Sequence, residues 1–157
     1  MPTPAVEAAR AAGVEFELLE YEHDPRAESY GEEAAVALGL DPSEVFKTLV
    51  AQLDSKTLAI AIVPVTARLD FKALAAALGG RRAAMVEASH AERATGYVLG
   101  GISPLGQRRR LPTVLDQSAE GHARIHISAG RRGMEIALAP ADLIRLTDAT
   151  VAAIARR

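Results

Sequence analysis

Cysteine is absent from the 157 residues, which excludes disulfides, thiolate metal sites and a thiol nucleophile supplied by the protein. Aromatic residues reach only 4%, so the core must be filled by Ala, Val, Leu and Ile. No excess of one charge exists either. The formal net charge is −2, so any contact with nucleic acid has to be local, without a broad electrostatic grip on a duplex. No apolar run approaches the roughly 18 residues of a membrane-spanning helix. The N-terminus also lacks the basic and apolar blocks of a signal peptide. A cytoplasmic protein with no membrane association is expected.

What is present reads as an ordinary globular chain, 49% hydrophobic and 24% charged, most simply one domain over residues 1–157. Thr3 and Pro4 predict an N-cap and first helical residue, with a helix to about Ala12 stopped by Gly13. Val14–Tyr21 is strand-like, His23-Asp24-Pro25 a turn, and Ser29–Leu38 a short helix closed by Gly39. Asp41 caps a turn before a strand at Val45–Val50. Asp54-Ser55-Lys56 makes a hairpin connection to Thr57–Val65, a continuous apolar run that predicts a strand buried on both faces. Asp70 caps a helix with Phe71, Leu74, Ala75 and Leu78 on one face. Ala84–Glu87 is a short strand, and Ser89-His90-Ala91-Glu92 reads as a capping box. Strands follow at Leu111–Leu115, Arg124–Ser128 and Met134–Leu138, with a helix from Pro140; Ala149–Ile154 fits strand or helix. Strands and helices interleave without a βαβ rhythm, which predicts an α+β fold with a largely antiparallel or mixed sheet.

Lys47 breaks the pattern. On a strand it shares a face with Val45, Leu49 and Ala51, where an ammonium is costly unless paired or kept near water for a purpose. A long stem reaching solvent satisfies the same pattern. Gly101-Ile102-Ser103-Pro104-Leu105-Gly106 has phosphate-loop spacing, but Gln107 and Arg108 stand where Lys and Ser or Thr are required. Such a loop suits a smaller anion or an acyl oxygen. His122 and His126, four residues apart, lack a third ligand nearby, so no metal site is expected. No Gly-x-Ser-x-Gly elbow accompanies Ser128. Arg108, Arg109 and Arg110, with Arg131 and Arg132, form candidate phosphate contacts, and Tyr97 is a candidate for stacking on a base.

Five motifs in order resemble the YbaK/EbsC family, related to the editing domain of bacterial prolyl-tRNA synthetases. They are Glu22-His23-Asp24-Pro25, Val45-Phe46-Lys47-Thr48-Leu49, Thr95-Gly96-Tyr97, Gly100–Gly106 and Ser128-Ala129-Gly130-Arg131-Arg132-Gly133. The resemblance covers essentially the whole chain. It implies one α+β domain, a mixed β-barrel-like sheet surrounded by helices. It also implies hydrolysis in trans of cysteine mischarged on tRNA(Pro), without a cofactor, with the tRNA acceptor end and prolyl-tRNA synthetase as partners. The family's catalytic lysine matches Lys47, and its substrate-pocket positions fall on Tyr21, Tyr30, Thr48, Gly100, Gly101, Ser128 and Glu135. Tyr30 stands where phenylalanine is expected and Glu135 where aspartate is expected. Family members use the substrate's own thiol against its ester, which agrees with a chain lacking cysteine. Two other readings share these residues: editing of tRNA charged with alanine or another small amino acid, and a non-catalytic module for the RNA acceptor end.

Overall fold

Thr3 and Pro4 open helix α1, Pro4–Ala12: the Thr3 hydroxyl accepts from the Val6 N–H at 3.2 Å, and Pro4 stands where a helix needs no N–H. The structure, a computed structural model, describes residues 2–27 and 29–157. Strand β1, Phe16–Glu20, is shorter at both ends than the apolar pattern suggests. Helix α2, Tyr30–Leu38, is capped by Ser29 and closed by Gly39. One turn of 3-10 helix, Pro42–Glu44, delivers the chain to β2, Phe46–Leu53, and a three-residue connection, 54–56, leads into β3, Thr57–Pro64. Asp54 and Ser55 in that connection have φ of 52° and 58°. This is the turn whose twist matches that of the flanking strands. The Asp54 carboxylate steadies it by accepting the Arg81 and Arg82 N–H groups, both at 2.9 Å.

The remaining elements are β4 (Arg68–Leu69), α3 (Phe71–Ala77), β5 (Ala83–Met85), α4 (Ala88–Thr95), β6 (Thr113–Asp116), β7 (Ile125–Ser128), β8 (Met134–Leu138), α5 (Pro140–Thr147), β9 (Thr150–Ala152) and β10 (Ala155–Arg156). Five strands form a mixed sheet in the order β5-β2-β3-β6-β9, antiparallel between β5, β2 and β3 and parallel from β3 to β9. Three more, β1-β8-β7, form an antiparallel sheet, and β4 pairs with β10. The α+β fold with a mixed sheet is therefore as expected. The barrel-like arrangement is realised as two sheets joined at the Val45–His126 bridge, with no closed ring of strands among the described residues.

Alternation explains how the sheets are covered. Leu58, Ile60 and Ile62 of β3, with Phe46 and Val50 of β2, face the main core. There they meet Ile125 and Ile127 of β7, Met134, Ile136 and Leu138 of β8, and small residues of α1 and α4. Ala61 and Val63 point the other way, onto Leu74 of α3 and Ile154. β3 is thus buried on both faces, as its unbroken apolar run requires. At its end Val65 packs with Val45 and Ala35, seating α2 against the β2–β3 pair. The capping box at Ser89 does not form. Helix α4 begins earlier, with Glu87 as its N-cap residue, and the Glu92 carboxylate accepts the Leu99 N–H at 2.8 Å. Among the described residues no helix is long and apolar enough to cross a membrane.

Candidate active site

β3 pairs with the whole of β2, but β5 pairs with its other edge only over Ala51–Leu53. Farther along, Val45 bridges to His126 of β7. Between these two points the edge of β2 is free of strand pairing among the described residues. A cavity of about 280 Å³ lies along that gap. Phe46, Lys47, Thr48 and Leu49 all line it, consecutive residues that alternate between the two faces of the sheet. The strand therefore meets the cavity with its edge. Alternation correctly places Lys47 beside Leu49, opposite Val63 and Ala61 of β3.

The opposite wall comes from the three-stranded sheet. Ser128 and Glu135 are cross-strand neighbours on β7 and β8, on the face turned away from Ile127 and Ile136, and Tyr21 follows β1 directly. Ser29, Tyr30 and Gly31 at the start of α2, and Leu99, Gly100 and Ile102 of the glycine-rich segment, close the remaining sides. Seven of the eight residues singled out in the sequence thus line one cavity: Lys47, Tyr21, Tyr30, Thr48, Gly100, Ser128 and Glu135. The eighth, Gly101, stands behind it. A Cβ on Gly101 would come within 2.6 Å of the Arg131 Cα, and its N–H already donates to the Val98 carbonyl at 2.9 Å. Gly101 is therefore a close-packing position and offers no free donor to a ligand. Gly100 has φ of 92°, and a Cβ there would fall 2.7 Å from the Arg132 side chain. Glycine is required on both counts.

Three polar groups in the cavity are unusual. Burial lowers the pKa of the Lys47 ammonium, a shift opposed by Glu32 and reinforced by Arg68. Burial pushes the Glu135 carboxyl up to about 8, so at neutral pH it is mainly a hydrogen-bond donor. The Thr48 hydroxyl oxygen is buried and has no protein partner. A buried polar group without a partner is rare and costly, and here it faces space that a ligand can fill. Burial also raises the Tyr21 phenol, which stays protonated. The Ser128 hydroxyl accepts the Gly130 N–H at 3.2 Å, and no histidine is hydrogen-bonded to it among the described residues. No three His, Asp or Glu side chains gather to hold a metal among those residues.

Other sequence expectations are corrected. Tyr97 is 4% exposed and its hydroxyl donates to the Leu105 carbonyl at 2.5 Å, so it is a core residue unable to stack on a base. The segment Gly101–Leu105 is buried throughout, and only its beginning meets the cavity. The arginines divide: Arg109 and Arg110 border a depression beside Leu146 and Thr147, whereas Arg131 and Arg132 border one beside Tyr21. Arg132 is the residue whose importance the sequence conceals. Its guanidinium lies 4.2 Å from the Tyr30 ring centroid and donates to the Asp24 carbonyl at 3.3 Å, tying the cavity-lining start of α2 to the turn that precedes it. The Gly100-Gly101 pair was the available signal, since both glycines make room for the Arg131-Arg132 turn.

A small cavity with a lysine, a carboxyl kept neutral by burial and an unpartnered hydroxyl thus lies inside an α+β sheet fold, with polar groups placed to meet a small ligand. The family model described as the aminoacyl-tRNA editing domain matches residues 24–146, and the chain belongs to that family. An Enterococcus faecalis protein named "Putative Cys-tRNA(Pro)/Cys-tRNA(Cys) deacylase EbsC" is 36% identical over 149 residues, covering 95% of this chain and 88% of that protein. Two crystal structures share the fold at 24% identity. Hypothetical protein APE2540 has a TM-score of 0.87, covering 98% of this chain and 100% of that one. A "putative trans-editing enzyme for prolyl tRNA synthetase" has a TM-score of 0.81 with both chains fully covered.

Proposed function

We propose that this protein, acting as one domain over residues 1–157, is an aminoacyl-tRNA deacylase that hydrolyses mischarged Cys-tRNA(Pro) in trans, without a cofactor. The observation that carries the reading is the cavity itself: it gathers Lys47, Thr48 and a protonated Glu135, yet offers no activated nucleophile. Such a site can hold an aminoacyl ester and stabilise charge on it, while the attacking atom comes from the substrate. The cysteine thiolate attacks its own ester carbonyl, forming the C–S bond of a cyclic thioester and breaking the C–O bond to the terminal ribose. The thiol proton ends on the released ribose hydroxyl, and water then opens the thioester to free cysteine. Lys47 binds the ester carbonyl or the ribose oxygen, and burial, which lowers its pKa, makes its ammonium a better proton donor than a free lysine. Tyr21, Tyr30, Thr48, Gly100, Ser128 and Glu135 shape and bind the aminoacyl end, with Gly101 supporting them from behind.

Thiol chemistry also supplies specificity. A cavity distinguishes side chains differing by one small group by only about 1–3 kcal/mol. Alanine and serine fit, but cannot make this attack. The tRNA acceptor end is the partner at the cavity, and the small net charge leaves room for prolyl-tRNA synthetase to hold the rest of the tRNA. Labelled Cys-, Ala- and Ser-tRNA(Pro) incubated with wild type and Lys47→Ala test the reading. Multiple-turnover release of cysteine alone, lost in a folded Lys47→Ala protein, is the expected result. Full activity of that variant sinks the assignment of Lys47. Preferred release of alanine replaces the substrate, and binding without turnover replaces the enzyme by a binding module.

A further inference from the structure

Tyr21 separates the cavity from a second depression, an outer groove of about 440 Å³ lined by Glu20, Tyr21, Glu22, His23, Arg131, Arg132 and Gly133. Two buried nitrogens at this place have no hydrogen-bond partner: His23 Nδ1 and Arg132 Nε. Arg132 also backs the inner wall from the groove side, since its guanidinium covers Tyr30 and its stem lies against Gly100. One side chain thus stands between the two spaces. Arg131 extends the positive edge of the groove, loosely paired with Glu20 at 4.0 Å between two largely exposed side chains. A pair of this kind contributes little and exchanges partners readily. Arg132 makes no ion pair among the described residues. The acids nearby are Glu20 and Glu22 on the groove, Asp24, whose carbonyl Arg132 bonds, and Glu135 and Glu33, which both act on Tyr21.

We propose that the outer groove is the subsite for the phosphodiester on the 5′ side of the terminal nucleoside, with Arg132 and Arg131 as its ligands and His23 beside them. The inference rests on the aminoacyl-ester reading of the inner cavity. With the ester carbonyl near Lys47, the ribose lies at Tyr21 and its 5′ oxygen points outward, toward the groove. A phosphodiester there gives the Arg132 Nε–H the acceptor it lacks, and planar guanidinium groups suit its paired oxygens. The subsite needs only one phosphate, which agrees with a chain of net charge −2. It also explains how a small acyl cavity selects nucleotide esters over free amino-acid esters.

The test compares two small substrates, the 3′-cysteinyl esters of adenosine and of adenosine 5′-methylphosphate, which differ only in the phosphodiester. Wild type is expected to favour the phosphate-bearing ester by at least about tenfold in kcat/KM, and Arg131→Gln and Arg132→Lys to reduce that ratio. Because Arg132 braces Tyr30, Arg131→Gln, at an exposed position, keeps the test independent of folding. A ratio near one in wild type overturns the subsite while leaving the deacylase reading intact. A ratio unchanged in both variants overturns the arginines' role. If wild type hydrolyses neither ester, turnover of Cys-tRNA(Pro) still decides the deacylase reading, and binding decides the subsite separately. Tighter binding of adenosine 5′-methylphosphate than of adenosine, weakened by Arg131→Gln, then supports it, and equal binding of the two overturns it.

Discussion

Replacing Glu135 by glutamine should stabilise the protein at neutral pH while impairing its function. Glu135 is 7% exposed, and burial alone pushes its carboxyl from the ordinary 4.5 up to about 8. The folded-state pKa is raised, so the stability tied to the neutral acid is fully present below pH 4.5 and lost as pH climbs through 8. Between those values the unfolded chain ionises and the folded one resists. Each pH unit disfavours the folded state by about 1.4 kcal/mol, which amounts to about 3 kcal/mol by pH 7. Glutamine keeps the shape and has no proton to lose. In urea titrations the variant should therefore exceed wild type by an amount that grows from pH 5 to pH 8. His126 has its pKa lowered by burial and works in the opposite direction, losing stability as pH falls, but it is common to both proteins and cancels in the difference. A difference between the two proteins that stays flat with pH would refute the reasoning. Activity should fall in the same variant, because an amide cannot supply the acid proton with which a neutral Glu135 meets the aminoacyl ester.

Thr48→Val removes a buried hydroxyl that has no protein partner, so thermal melting should show no loss of stability in the free protein while KM for the ester substrate rises. Gly101→Ala should destabilise by about 1–3 kcal/mol in chemical denaturation, because the added methyl meets Arg131 backbone that cannot step aside. Ser89→Ala should change stability by less than about 0.5 kcal/mol, since Ser89 caps nothing. Asp70→Ala should lose about 1 kcal/mol, because the Asp70 carboxylate accepts the Ala73 N–H at 3.0 Å at the head of α3. Equal melting temperatures for those two variants would contradict the helix starts described above.

Most elements were legible because local chemistry dictates them. Thr3-Pro4, Ser29 and Asp70 mark helix starts that hold, and the unbroken apolar run of β3 correctly announces burial on both faces. Ser89 fails because Ala88 already continues the helix back to Glu87, and a capping pattern cannot report which of several adjacent residues the chain enters from. Strands β4 and β10 have only two residues each, too short for any periodicity. The site divides similarly. Motifs in order supplied its residues, but a motif holds no information about contact. Tyr97 and Gly101 belong to the same motif set as Gly100 and Lys47, yet one is a core side chain and the other a packing position. Arg132 was visible only as charge, because its contacts with Tyr30 and Asp24 span about 100 residues of chain.

Burial marks three of the cavity residues. Thr48 has a buried hydroxyl without a partner, and Lys47 and Glu135 have pKa values shifted by burial; Lys47 and Glu135 each sit one residue from fully packed side chains. Phe46 is 2% exposed beside Lys47, and Met134 and Ile136, at 2% and 0%, flank Glu135. Alternation makes this possible for Lys47 and Glu135: their neighbours Phe46, Met134 and Ile136 face the main core and hold the backbone in place, while these two point away from it. Lys47 gains a second freedom from the short β5, which leaves this part of the β2 edge unpaired. Extending β5 by two residues along β2 would satisfy more backbone groups and stabilise the sheet. It would also cover Leu49 and approach Lys47, closing the cavity from the side through which β2 meets it. The shortness of β5 is thus a feature of the site, although none of its residues lines it.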